Sequence, residues 1–139
     1  MRIIFIVLIS LSLTACISQD QADIKMANGC AAGINALISP EGKEVATIKV
    51  QRYANEQAEG GLHRRVTIEA IEKDGWLELD KEYSCLFMQQ CGPFKSSHRA
   101  LLVQVNIDDE IIGKKDGKIM GSYEDFSNLS SAVADGLRQ

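Results

Sequence analysis

The spacing of apolar residues changes twice along this chain, and the change limits the folds open to it. From Asp23 to Ile38 apolar side chains recur every three or four residues, which is the period of a helix that buries one face. From Val45 onward the period is two, as in half-buried strands. A helical period returns from Tyr123 to Leu137, behind Ser122 as the N-cap residue. The sequence therefore predicts the order helix, sheet, helix.

The middle of the chain contains several short strand patterns joined by turn residues. The strand patterns cover residues 45–52, 66–70, 76–80 and 100–107, and a small hairpin follows at 111–120. Asp74-Gly75 predicts a tight turn, because these residues readily take positive φ angles. Such short connections favour antiparallel neighbours. We therefore expect an α+β domain: an antiparallel β-meander of four to six strands, packed with an N-terminal and a C-terminal helix.

The first helix carries Gly29 and Gly33 in a G-x-x-x-G spacing. In a membrane span this spacing would favour helix dimerisation. Here Asp23 and Lys25 lie on the same segment, so the glycines predict close packing of helices within a folded domain.

The composition sets the size and excludes one class of partner. With 139 residues, 45% of them hydrophobic and 24% charged, the chain is long enough for one ordinary domain. Its 15 basic and 19 acidic residues leave it without the excess of Lys and Arg on which nucleic-acid binding depends. We expect no nucleic-acid partner.

The N-terminus has the pattern of an export signal. Arg2 supplies a positive charge, and Ile3 to Leu13 form an apolar run that would span roughly 16 Å as a helix, about half of a bilayer core. This length is typical of a signal peptide rather than a membrane span. The run is followed by Leu13-Thr14-Ala15-Cys16, which resembles the lipobox of bacterial lipoproteins. An ordinary cleaved signal, with Leu13-Thr14-Ala15 as the cleavage site, is the alternative.

The lipoprotein resemblance implies a covalent membrane anchor. It implies cleavage before Cys16, attachment of diacylglyceryl and palmitate-type chains to Cys16, and stable anchoring by two or three chains. Residues 1–15 would be the signal peptide, 16–21 the acylated Cys and a short tether, and 22–139 a single periplasmic domain. Ile17 stands where an Asp would retain such proteins at the inner membrane, so the resemblance implies the outer membrane, facing the periplasm.

Three further cysteines, Cys30, Cys85 and Cys91, remain in the mature chain. An odd number in an oxidising compartment allows one intrachain disulfide, and three pairings are open. Closing the short segment from Cys85 to Cys91 is worth roughly 2 to 2.5 kcal/mol, and bridging Cys30 to either partner approaches about 4 kcal/mol. We expect the local pair Cys85–Cys91, with Cys30 buried on its helix. Phe87 and Met88 would then lie in a stapled contact loop.

The sequence offers little for catalysis or cofactors. The cysteines lack the close pairs that zinc sites and redox motifs require. His63 and His98 are the only candidates for a general base near neutral pH, and no nucleophile elbow, P-loop or H-E-x-x-H accompanies them. We therefore expect no enzyme, no metal and no cofactor. The aromatic residues are expected mostly in the core: Tyr53, Trp76, Tyr83, Phe87 and Phe94.

Together these features predict a non-catalytic lipoprotein of the cell envelope, anchored through Cys16, that binds another protein as part or accessory of an envelope assembly. The alternative is an inhibitor, immunity or exclusion lipoprotein that neutralises an incoming toxin, hydrolase or mobile element.

Overall fold

Two helices flank six strands in the computed structural model, which describes residues 17–58, 61–91 and 98–138. The predicted signal peptide, the lipidation site Cys16 and Phe94 lie outside these residues. The elements are α1 (Gln19–Ile38), a 3-10 turn (Ser39–Glu41), β1 (Lys43–Ala58), β2 (Gly61–Asp74), β3 (Leu77–Cys91), β4 (His98–Ile107), β5 (Glu110–Lys115), β6 (Lys118–Met120) and α2 (Tyr123–Leu137).

The strands form one sheet in the order β1-β2-β3-β4-β5-β6, with every neighbouring pair antiparallel. This confirms the predicted α+β class and the meander, which has six strands. The strand patterns of the sequence overlap β1 to β4, and the strands themselves are longer; the pattern at 76–80 covers only the beginning of β3. Chain order and spatial order coincide because each connection is short.

Both helices cover the same face of the sheet, and the core lies between this helical layer and the sheet. Val66, Ile68 and Ala70 alternate along β2 and are each at most 1% exposed. They pack with Met26 of α1 and Leu129 of α2 in one buried cluster. The period of two in the strand and the period of 3.6 in the helices thus direct their apolar residues to one layer.

The two glycines of α1 allow α2 to approach closely. A Cβ atom at Gly33 would lie 2.5 Å from Val133 Cγ2 and 2.8 Å from Leu129 Cδ1. At Gly29 it would lie 2.9 Å from Leu137 Cγ. The predicted role of this glycine pair in close helix packing is confirmed.

A disulfide joins Cys30 of α1 to Cys85 of β3, with the two Cα atoms 5.8 Å apart. The predicted pair Cys85–Cys91 is therefore wrong. Cys85 and Cys91 lie in one extended strand, where six residues span roughly 20 Å, while a disulfide requires Cα atoms within about 7 Å. Cys85 faces the helices, where Cys30 is buried beside it. The side chain of Cys91 lies outside the described residues.

The start of α1 leaves almost no tether after Cys16. The Ser18 hydroxyl accepts from the Gln21 backbone N–H, and the Gln21 side chain accepts from the Ser18 N–H, forming a capping box. Ile17 packs against the core. The short tether predicted for residues 16–21 is thus wrong from residue 17 onward, because Ile17 packs on the core, Ser18 caps α1 and Gln19 begins it.

Candidate functional site

The segment expected to form a contact loop is part of β3, where the pairing with β4 shifts register between Leu86 and Phe87. Phe87 is 0% exposed and pairs in register with Leu102 of β4. Met88 is half-buried in the same strand. The prediction of a contact loop at Phe87 and Met88 is wrong, because the disulfide that would have closed this loop does not form and the chain stays extended.

The most exposed aromatic residue is Trp76, at the tip of the β2–β3 hairpin. Its side chain is 100% exposed, and Leu77 beside it is 61% exposed. Leu79 adds a third exposed apolar side chain along the same strand end, at 39%. We call Trp76, Leu77 and Leu79 the hairpin tip. Large apolar side chains grouped in this way at a surface mark a site of interaction.

A shift of one residue in the turn places Trp76 there. The sequence predicts Asp74-Gly75 as the turn, but Asp74 pairs with Leu77, so Gly75 and Trp76 form the two-residue loop. Gly75 has a φ of 63°, the value that a type II′ turn requires at its first position. Trp76 therefore projects from the loop instead of starting a strand, which corrects its expected place in the core. The sequence signal for this turn was Gly75 followed by Trp76, because a type II′ turn takes Gly at its first position and tolerates other residues at its second.

Two exposed ion pairs link the strands next to the hairpin tip. Lys49 of β1 donates to Asp80 of β3 at 2.9 Å, and Lys81 donates to both oxygens of Asp108 at 2.9 and 3.0 Å. These pairs are exposed, so each contributes little to stability. One links β3 to β1 across β2, and the other links β3 to the residue that follows β4.

A buried polar pair, Tyr83 and Glu72, joins β3 to β2. The Tyr83 hydroxyl donates to Glu72, which is 3% exposed. Burial, followed by the hydrogen bond to Glu72, raises the pKa of Tyr83 far above its usual value, so the phenol stays protonated. This contact fixes β2 against β3 a few residues from the hairpin tip, which is thereby preorganised.

The hairpin tip lies at the end of the domain opposite the start of α1. Asp23, in the second turn of α1, is bonded to Arg64 near the beginning of β2. From Arg64 to Asp74 the strand rises about 3.3 Å per residue, or roughly 33 Å in all. The first turns of α1 are therefore separated from Trp76 by most of the length of the sheet.

A shallow groove lies on the sheet face that the helices leave open. Its floor is Leu86, which is buried without belonging to the core beneath the helices. Glu56 and Gln104 line it, and its volume is ≈ 380 Å³. Arg65 binds Glu56 through two nitrogens and Ser84 through the third, at 3.0 Å. The Glu56 carboxylate is thus bound within the protein, while Lys114 and Lys115 also line the groove.

The two histidines are each held by an uncharged oxygen. His63, only 3% exposed, bonds through Nδ1 to the Gly61 carbonyl at 2.8 Å, and His98 Nε2 lies 3.0 Å from Gln89 Oε1. Burial, with a smaller contribution from Lys25, lowers the pKa of His98. Across the described ranges, neither ring is hydrogen-bonded to a carboxylate or hydroxyl. The structure therefore does not join His63 or His98 to a nucleophile or an acid in these ranges.

Two further properties concern metals and membranes. Within residues 17–58, 61–91 and 98–138, no three His, Cys, Asp or Glu side chains group as metal ligands. Neither described helix has the length and hydropathy of a bilayer span. Comparison with known proteins found no matching family model, curated protein or solved structure.

Proposed function

We propose that this protein is a membrane-anchored envelope lipoprotein that binds another protein through its hairpin tip and catalyses no reaction. The observation that carries the proposal is the complete exposure of Trp76 in a two-residue turn. Trp is the residue most enriched at the energetic centres of protein interfaces. An indole buries about 150–250 Å² on contact, which is worth about 4–6 kcal/mol before the entropic costs of association.

The position of the hairpin tip favours a protein over the bilayer as the partner. In the proposed anchor, acyl chains on Cys16 hold the domain at the membrane, and Ile17 already packs on the core. The short connection then limits rotation of the domain relative to the membrane. The hairpin tip, roughly 33 Å from the start of α1, faces away from the lipid. The resemblance of Leu13-Thr14-Ala15-Cys16 to a lipobox, with Ile17 next, supports an outer-membrane location that faces the periplasm.

Site-specific photo-cross-linking in the native host tests the proposed partner. A photoreactive amino acid replaces Leu77 at the hairpin tip, and the matched control replaces Ala134, which is exposed on α2. We expect one adduct of defined mass from position 77 and none from position 134. Equal labelling at both positions, or adducts to lipid alone from position 77, would contradict a protein partner at the hairpin tip.

The anchor is tested separately by replacing Cys16. Wild-type protein is expected in the membrane fraction, with an intact mass that includes the acyl chains. Cys16→Ser is expected to carry no acyl chains. A wild-type chain of unmodified mass would refute the anchor while leaving the cross-linking result standing on its own.

A further inference from the structure

The two edges of the sheet differ greatly in length. β1, at one edge, runs from Lys43 to Ala58 and pairs with β2 alone, whereas β6 at the other edge has three residues. The unpaired N–H and C=O groups of a long edge strand can bind a further strand. Proteins usually block such edges, so the protection along β1 shows which part of it remains open.

The first half of β1 is protected and the second half is not. Register shifts against β2 occur between Val45 and Thr47 and between Ile48 and Val50. Bulges of this kind twist an edge away from other strands. From Val50 to Ala58 the pairing with β2 is regular, and this run contains neither Pro nor Gly. It is a straight, open edge.

The open run is complementary to itself. If two copies lie antiparallel with Ala54 facing Ala54, then Arg52 faces Glu56 of the other copy, and the same contact recurs on the other side of the axis. Gln51 likewise faces Gln57. Within residues 50–58, opposite charges face each other directly only in this register, and its centre is also the centre of the regular run. We propose that two copies of this chain pair through residues 50–58 and form a continuous sheet of twelve strands.

The two charged groups stand on the edge strand and are bound by residues of the inner strands. Arg52 is held by Glu69 and by Glu82, the latter at 2.8 Å, while its side chain remains 52% exposed. Glu56 is bound by Arg65, and its side chain remains 39% exposed. Each group is therefore already paired within its own copy, and its exposed part is what a second strand would contact.

The pairing places both N-termini on one side of the sheet. A two-fold axis through Ala54 and perpendicular to the sheet keeps the helices of both copies on the same face. Asp23 of α1 is bonded to Arg64, which pairs with Asn55 next to the axis. Both copies of α1 thus begin on the same face of the dimer, so a dimer can be anchored to a single membrane.

Charge reversal tests the dimer. The full chain is purified in mild detergent, and its mass is followed by sedimentation velocity as its concentration is raised. We expect wild type to dimerise, and Arg52→Glu and Glu56→Arg each to raise the dimer Kd roughly tenfold or more, because two attractive contacts become repulsive. The double variant R52E/E56R restores the opposition of charges and is expected to dimerise again. Circular dichroism verifies that each variant is folded.

A cross-linking measurement covers the case in which charge reversal disturbs the fold. In a Cys91→Ser background, Ala54→Cys is expected to form covalent dimers rapidly with a short bismaleimide, since residue 54 faces its own copy. Ala134→Cys on α2 is the matched control and is expected to remain at the background level. A wild-type chain that stays monomeric throughout, or position 54 cross-linking no faster than position 134, overturns the proposal.

Discussion

Asp23 of α1 accepts two hydrogen bonds from the Arg64 guanidinium of β2, from Nε at 3.0 Å and from Nη2 at 2.7 Å. The side chains are 7% and 14% exposed. Arg64 also donates to Asn55 at 3.0 Å, and its guanidinium carbon lies 5.9 Å from the centre of the Tyr53 ring. One guanidinium thus ties the first turns of α1 to β1 and β2, directly behind the proposed anchor.

Removing either partner of this pair should be costly. Asp23→Leu leaves the Arg64 charge buried without a counter-ion, and Arg64→Met does the same to Asp23. Each single variant is expected to lower the free energy of unfolding by about 3 kcal/mol. The double variant is expected to lose less than the sum of the two, as measured by urea denaturation. Strictly additive losses would show that the two charges do not depend on each other.

The disulfide between helix and strand should contribute strongly to stability. It has a sequence separation of 55 residues, and closing a loop of this size is worth about 4 kcal/mol in the chain-entropy model. The double variant Cys30→Ala/Cys85→Ala is expected to unfold at markedly lower urea concentration than wild type. Non-reducing peptide mapping should recover Cys30 and Cys85 in one linked pair. Recovery of Cys85 linked to Cys91 would refute this connectivity.

The contact between α1 and α2 should not tolerate a side chain at Gly33. In an isolated helix Gly→Ala is favourable by about 1 kcal/mol. In this domain the added methyl overlaps Val133 and Leu129, so Gly33→Ala is expected to lower the free energy of unfolding by about 1–3 kcal/mol. Thermal denaturation measures the change.

The reverse substitution on the exposed side of α1 is the matched control. Ala36→Gly removes a methyl group that faces solvent, so it changes helix propensity without changing the contact with α2. It is expected to lower the free energy of unfolding by up to about 1 kcal/mol. If Gly33→Ala instead raised stability by as much as Ala36→Gly lowers it, helix propensity alone would govern both positions, and the close approach of the helices would be refuted.

His98 should make the protein less stable in mild acid. Its pKa is lowered first by burial and then by the charge of Lys25. The unfolded chain, with a His pKa near 6.5, then binds a proton more readily than the folded chain, so stability falls as the pH drops below about 6.5.

An NMR titration of the imidazole signals checks this expectation. His63→Gln assigns the remaining resonance to His98, and Lys25→Gln is expected to move its midpoint to higher pH. A midpoint at or above 6.5 in the wild-type protein would contradict the expectation.

The layout of the fold could be predicted from the sequence, but the contacts between distant elements could not. Periodicity alone predicts α1, α2 and the meander, because apolar spacing reports directly on which face of an element is buried. The choice of Cys30 as the partner of Cys85 depends on α1 crossing β3, a tertiary relationship that no local pattern encodes.

The hairpin tip was not predicted from the sequence because the turn was placed one residue too early. Asp74-Gly75 and Gly75-Trp76 are both plausible turns, and the one-residue difference decides whether Trp76 begins a strand or projects into solvent. Phe87 and Met88 were misplaced because a local disulfide was assumed. The self-complementary spacing of Arg52 and Glu56 was visible in the sequence, but its meaning required knowing that β1 is an edge strand.

The binding role of Trp76 is tested most directly by measuring the affinity of the partner that cross-links to position 77. Trp76→Ala is expected to weaken binding roughly 30-fold or more, as for an interface hot spot, and to leave stability unchanged because the indole has no contacts to lose. Ile119→Ala, which removes an exposed apolar side chain from β6, is the control and should bind as wild type does. If Trp76→Ala binds as tightly as Ile119→Ala, the hairpin tip is not the binding site.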